Sequence, residues 1–113
     1  MVSGRYGMNF YKSLKWINKR IIILKRDEYL CQECKRYGKS TTAIHVHHIV
    51  PLEWCLVFKP LWAYLSKNLI SLCSEHHSAM HDRTNNKLTA QGIRLLIRVF
   101  GDEGKELIHK YNL

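Results

Sequence analysis

The stretch Leu72–Asp82, "LCSEHHSAMHD", packs one cysteine and three histidines into the span from Cys73 to His81. Adjacent histidines are costly to bury without partners. The stretch therefore holds part of one metal site, parts of two, or a polar helix that happens to be rich in imidazole. Upstream, Cys31 and Cys34 form a C-x-x-C pair, which is half of a tetrahedral zinc site. Cys73 and His76 repeat the gap as C-x-x-H, about forty residues later. Thiolate and imidazole both suit zinc, and four ligands with no open position make a structural site. Cys55 has no partner at this spacing and lies in an apolar stretch, so it is expected to be a buried core thiol.

With His76 assigned, His77 and His81 remain, four residues apart and so on one face of a helix expected from Ser74 to about Asp82. The segment 43–50, "AIHVHHIV", alternates and is β-branched, which predicts a strand stopped by Pro51. On a strand His47 and His48 point to opposite faces, so one of them can complete a site with His77 and His81 while the other points elsewhere. His45 shares the face of His47, where it is either near the metal or an ordinary surface residue.

Around this centre, Phe10, Leu14, Ile17, Ile21 and Leu24 recur at alternating four- and three-residue intervals, which predicts a helix over 10–26 with those residues facing the core. Residues 1–9 read as loosely ordered, and 35–42 as a turn around Gly38. Residues 52–67 read as a loop with a short helix, and 68–73 as a second strand antiparallel to the first. Thr89–Phe100 and Asp102–Tyr111 read as two helices separated by Gly101, with Thr89 and Asp102 as N-caps. The whole of 1–113 reads as one domain, with a core at about 28–83, a basic N-terminal helix at about 10–26 and C-terminal helices at about 89–111.

The chain carries a net charge of +9, unevenly spread. Residues 1–40 hold ten Lys/Arg against three Asp/Glu, an excess of seven. A basic arm beside a near-neutral centre suits a polyanion, nucleic acid before membrane. Lys12, Lys15, Lys19, Arg20 and Arg26 on the N-terminal helix are the candidate phosphate contacts. Lysines interrupt the apolar residues near the N-terminus, so no secretory signal is expected. No run of about 18 apolar residues predicts a membrane span. A cytoplasmic setting is expected, where closely spaced cysteines ligate metal rather than pair as disulfides.

Taken in order, C-x-x-C, "HVHHIVPL" and "KNLISLC-x-x-H-H-x-x-x-H" resemble the HNH endonuclease family, over roughly Cys31 to Asp82. The lead-in "FYKSLKWINKR" is also similar to that of small phage-type members. The resemblance implies an α+β fold: a ββα-metal, treble-clef-like core with a structural zinc, flanked by the terminal helices. It implies His47, His77 and His81 as ligands of a catalytic metal and His48 as the general base. Asn68 matches the family's central asparagine, which orients the base and pins the loop between the strands. The implied activity is metal-dependent DNA cleavage leaving 5′-phosphate and 3′-hydroxyl ends. The implied partners are DNA and, in phages, a packaging terminase.

Two residues depart from the family's commoner pattern. His47 stands where many members have aspartate, which softens the site. Mg²⁺ or Mn²⁺ remains the usual expectation for the working metal, with Ni²⁺ or Zn²⁺ able to occupy three imidazoles. His76 stands where cysteine is commoner, and C-x-x-H still ligates zinc. The competing reading is a non-catalytic zinc-binding nucleic-acid module, which needs only the zinc ligands and the basic residues.

Overall fold

Two four-residue strands at the centre, β1 (His45–His48) and β2 (Leu69–Leu72), pair antiparallel with His45 opposite Leu72 and His48 opposite Leu69. A two-stranded ribbon this short is marginal by itself, so the elements packed on it decide whether it forms. A computed structural model describes residues 9–113; the expectation for residues 1–8 lies outside the described residues. In chain order the remaining elements are α1 (Leu14–Arg26), α2 (Gln32–Arg36), α3 (Leu52–Phe58), α4 (Ser74–Ala79), β3 (His81–Asp82), β4 (Lys87–Leu88) and α5 (Ala90–Tyr111). Short 3-10 turns at Pro60–Tyr64 and Ser66–Asn68 complete the loop between β1 and β2.

The N-terminal helix differs from expectation in both start and face. Residues 9–12 are helical, but the backbone breaks at Ser13, whose side chain caps α1 by accepting from the Trp16 amide. The stripe expected to face the core is largely outside, with Leu14 76% exposed and Ile17 and Ile21 each 39% exposed. Phe10 and Leu24 of that stripe are buried as expected, and Trp16 and Ile23 are buried in place of the other three. The sequence offers two registers of helical period, and the second carries a tryptophan and a useful carboxylate. Buried Asp27, the C-cap of α1, accepts the Ser71 amide of β2 at 3.0 Å and is gripped by the Arg26 guanidinium. Burial pushes its carboxyl up, but the bonds to Arg26 and Ser71 outweigh that and hold it below its ordinary value.

Glu28 and Tyr29 then turn the chain in left-handed conformations, φ 57° at each, delivering Cys31 to the start of α2. The Tyr29 amide donates to Leu24 and its carbonyl accepts from Ala43, which holds this otherwise disfavoured turn.

Beyond β2, α4 ends at Ala79 rather than near Asp82, and His81 lies on β3 of a small hairpin that the sequence reading did not anticipate. Its signal was present: Asp82 accepts from the Thr84 amide and hydroxyl, and Asn86 takes a positive φ of 59°, both habits of Asx turns. The C-terminal pair of helices meets at Gly101 as expected, where φ 60°, ψ −135° breaks the helical path of α5. Thr89 caps it by accepting from the Gly92 amide, as expected, whereas Asp102 lies inside the kinked helix. Leu95, Leu96 and Phe100 of this helix close the core against Met80 and Leu88. Among the described residues no helix is long and apolar enough to cross a membrane.

Candidate active site and metal centres

The C-x-x-C turn and the start of α4 bring four ligand atoms within 4.8 Å of one another: Cys31, Cys34, Cys73 and His76. His76 Nδ1 lies 3.5 Å from Cys31 Sγ and 3.4 Å from both Cys34 Sγ and Cys73 Sγ. The Cys34 and Cys73 sulfurs are 3.9 Å apart. Tetrahedral zinc, with Zn–S about 2.3 Å and Zn–N about 2.1 Å, requires S···S edges of about 3.8 Å and S···N edges of about 3.6 Å. The donor set and its edges therefore fit that ion. At Cys73 burial pushes the thiol up, but bonds to His76 and the neighbouring sulfurs bring it down to about 7, toward the thiolate that ligates metal. Glu33, inside the C-x-x-C, is buried and pairs with Arg36 and with Arg98 of α5, tying the C-terminal helix to this knuckle.

The adjacent His77 turns away into a second cluster. His47 meets His81 with ring centroids 5.1 Å apart and His77 at 5.5 Å, while His77 and His81 are 6.3 Å apart. The three rings converge, but more openly than the knuckle: among the described residues it is Cys31, Cys34, Cys73 and His76 whose ligand atoms all lie within 4.8 Å of one another. His47 is 1% exposed, and neither of its ring nitrogens has a hydrogen-bond partner among the described residues. A buried polar group in that state calls for an explanation, and ligation of a metal would supply one.

Burial, then the neighbouring His81, His77 and His48, pushes His47 well below its ordinary value. Burial, then His45, His81 and Arg83, holds His77 at about 4. His81 is lowered by burial and Arg83. All three are neutral at pH 7, the form that ligates metal. The same-helix expectation for His77 and His81 does not hold, since α4 ends at Ala79 and His81 arrives from β3.

His48 points to the other face of β1, as alternation requires. Trp16 stacks on it at 4.8 Å, Phe10 contacts it edge-on at 5.5 Å, and its Nε2 donates to the Ala63 carbonyl at 3.0 Å. Burial, only partly opposed by that bond, lowers it to about 4. His47, His48, His77 and His81 together line a cleft of about 540 Å³.

Asn68 is fully buried behind this cleft. Its Oδ1 accepts from the Val50 amide at 2.7 Å, and its Nδ2 donates to the Val50 and Trp62 carbonyls at 3.2 Å each. It therefore pins both ends of the β1–β2 loop. Its link to His48 is indirect: it fixes Trp62, and the next residue, Ala63, supplies the carbonyl that holds the imidazole. Cys55 is buried as expected, its thiol pushed by burial up to about 12.

The five candidate basic residues divide by position. Arg20 lines the cleft and donates to the Ile44 carbonyl at 2.7 Å. Lys19 bonds Ser66, Arg26 bonds the Ser66 and Leu69 carbonyls, and Lys15 sits over the Tyr64 ring. These three brace α1 against the loop, and Lys12 is exposed. Sequence reasoning gave no role to Trp16 or Arg83 in the site, and left His45 open. His45 stacks on His77 at 4.5 Å and bonds the Ser74 hydroxyl at 3.2 Å.

A short antiparallel ribbon, a helix and a further strand converging histidines beside a four-ligand knuckle define the ββα-metal class of nucleases. The family model for HNH endonuclease matches residues 31–83. The crystal structure of the deep-sea thermophilic bacteriophage GVE2 HNH endonuclease with manganese ion is 37% identical, with a TM-score of 0.57, covering 66% of this chain and 77% of that one. No curated protein matches. The chain belongs to the HNH endonuclease family and is a nuclease of the hydrolase class.

Proposed function

We propose that this protein is a metal-dependent DNA endonuclease that hydrolyses phosphodiester bonds and leaves 5′-phosphate and 3′-hydroxyl ends. The observation that carries this reading is His47, buried with both ring nitrogens unpartnered among the described residues and turned toward His77 and His81, while its neighbour His48 faces the other way. His47, His77 and His81 hold a catalytic divalent ion, and Cys31, Cys34, Cys73 and His76 hold a structural zinc.

Three neutral nitrogens suit Mn²⁺, Ni²⁺ or Zn²⁺ better than Mg²⁺, which prefers oxygen ligands. Mn²⁺ leads, because manganese is the ion named with the GVE2 enzyme. When bound, the ion supplies positive charge to the phosphate and to the leaving oxygen. His48 takes the proton of the attacking water. Its Nε2 donates to the Ala63 carbonyl, so the lone pair resides on Nδ1. Held near about 4 by burial, His48 is neutral at pH 7 and carries that lone pair. Asn68 acts as a positioning residue through the 62–63 segment, and Arg20 on the cleft wall pairs with a substrate phosphate.

The 1–113 chain works as a single domain in this account. The setting we propose with it is phage DNA packaging in the host cytoplasm beside a terminase, supported by the family resemblance and by the bacteriophage source of the structural neighbour. A non-catalytic zinc-binding module needs the knuckle and the basic helix but gives no reason for the His47 cluster.

Incubation of supercoiled plasmid with Mg²⁺, Mn²⁺, Ni²⁺ or Zn²⁺ tests the proposal. Wild type nicks in a metal-dependent way, and His48→Ala loses at least about 10²-fold of that rate. If both proteins bind DNA and neither cuts it with any metal, the binding-module reading replaces this one.

A further inference from the structure

A second groove of about 950 Å³ adjoins the catalytic cleft, and Pro51, Glu53 and Asn86 line both. Asn86 Nδ2 donates to Glu53 Oε2 at 2.8 Å, forming a sill between the two. On one side of the groove α3 presents Val57, 66% exposed, and Phe58, 52% exposed. Phe58 packs against Trp54 at 5.4 Å and against Tyr111 at 4.7 Å between ring centroids. Trp54 is buried, and its indole N–H has no acceptor among the described residues. The β3–β4 hairpin lines the groove with Arg83 and Lys87, and neither pairs with a carboxylate among the described residues.

An exposed aromatic face, here Phe58 backed by Trp54 and Tyr111, beside two cations with no carboxylate partner among the described residues is the composition of a single-strand binding platform, where bases stack and the backbone follows the charge. An apolar peptide would have no use for the two cations. The groove also begins where the catalytic cleft ends, so a strand leaving one enters the other.

We propose that the groove between α3 and the β3–β4 hairpin receives the DNA strand next to the cut, with an unpaired base stacked on Phe58 and backbone phosphates held by Arg83 and Lys87. The substrate class is then DNA with unpaired bases beside the scissile phosphate, such as a flap, gap or single-stranded arm. This rests on the nuclease reading above for the occupant of the cleft.

Fluorescence anisotropy with zinc-loaded His48→Ala protein tests it, using a blunt duplex and the same duplex carrying a single-stranded thymine arm. The armed DNA binds about tenfold tighter, the size of one stacked base. Phe58→Leu, which keeps apolar packing and removes the stacking face, abolishes the preference, as does Lys87→Glu; Phe58→Trp retains it. Equal binding of the two DNAs, or a preference that survives both Phe58→Leu and Lys87→Glu, overturns the proposal. Binding is read without cleavage, so failure of wild type to nick plasmid overturns the nuclease reading alone, and loss of the arm preference overturns the groove alone.

Discussion

At the scale of single residues, the site works by keeping imidazoles neutral. His48 is stacked under Trp16 and held near a pKa of about 4, chiefly by burial, whereas in the unfolded chain it titrates near about 6.5. Between those values the unfolded state binds the extra proton, so stability rises with pH across the window. The contribution is intact above about pH 6.5 and is lost as pH falls, reaching on the order of 3 kcal/mol by about pH 4. His48→Gln removes this titration while leaving those of the other histidines in place. Urea midpoints measured from pH 7 down to pH 4 should therefore fall less steeply for His48→Gln than for wild type. Parallel curves for the two proteins contradict the burial account.

The opposite facing of His47 and His48 on β1 was legible because strand alternation is a rule of period two, and HVHH leaves little freedom. Trp16 as the cover of His48 was not legible. Which of two helical registers faces the core depends on partners distant in sequence, here Asp27 with Ser71 and Trp16 with His48.

At the scale of elements, local chemistry set strand and cap positions well and helix ends less well. Thr89 and Gly101 marked the start and the kink of α5. The β3–β4 hairpin, two residues a side, is too short for periodicity to announce. Its consequence for packing is sharp at Gly92, where an added Cβ would lie 2.4 Å from the Met80 carbonyl oxygen. That carbonyl already accepts the Thr89 amide, and Met80 caps α4 by donating its own amide to the His77 carbonyl.

Alanine normally gains about 1 kcal/mol over glycine inside a helix. Here the backbone clash reverses the sign, and Gly92→Ala is expected to destabilise by about 2–3 kcal/mol. A urea unfolding curve decides between the two signs. A midpoint that rises shows that α5 can move away from α4 at little cost.

At the scale of the whole molecule, the proposed zinc knuckle ties together elements far apart in the sequence. It joins the turn after α1 to the start of α4, and Glu33 extends the link to Arg98 on α5. A structural zinc contributes roughly 10–16 kcal/mol to such a site, comparable with the entire stability of a small domain. Strong chelation, or His76→Ala, is therefore expected to collapse the far-UV circular dichroism of the folded state. Mass spectrometry of the native protein should find about one tightly held zinc per chain. Retention of native dichroism by the metal-stripped protein shows that the core stands without the knuckle.

The spacing of Cys31, Cys34, Cys73 and His76 revealed this staple in the sequence because ligand geometry imposes fixed gaps. The basic helix was less transparent. Three of its five cations brace α1 against the loop, a use that composition cannot distinguish from phosphate binding.

The central claim is that His76 and His77, adjacent in sequence, serve two different metals. The most direct measurement is the Mn²⁺-dependent nicking rate of His77→Ala, taken together with its thermal unfolding midpoint. The account predicts a midpoint within a few degrees of wild type and nicking reduced by about 10²-fold or more. A folded His77→Ala protein that nicks plasmid at the wild-type rate contradicts it.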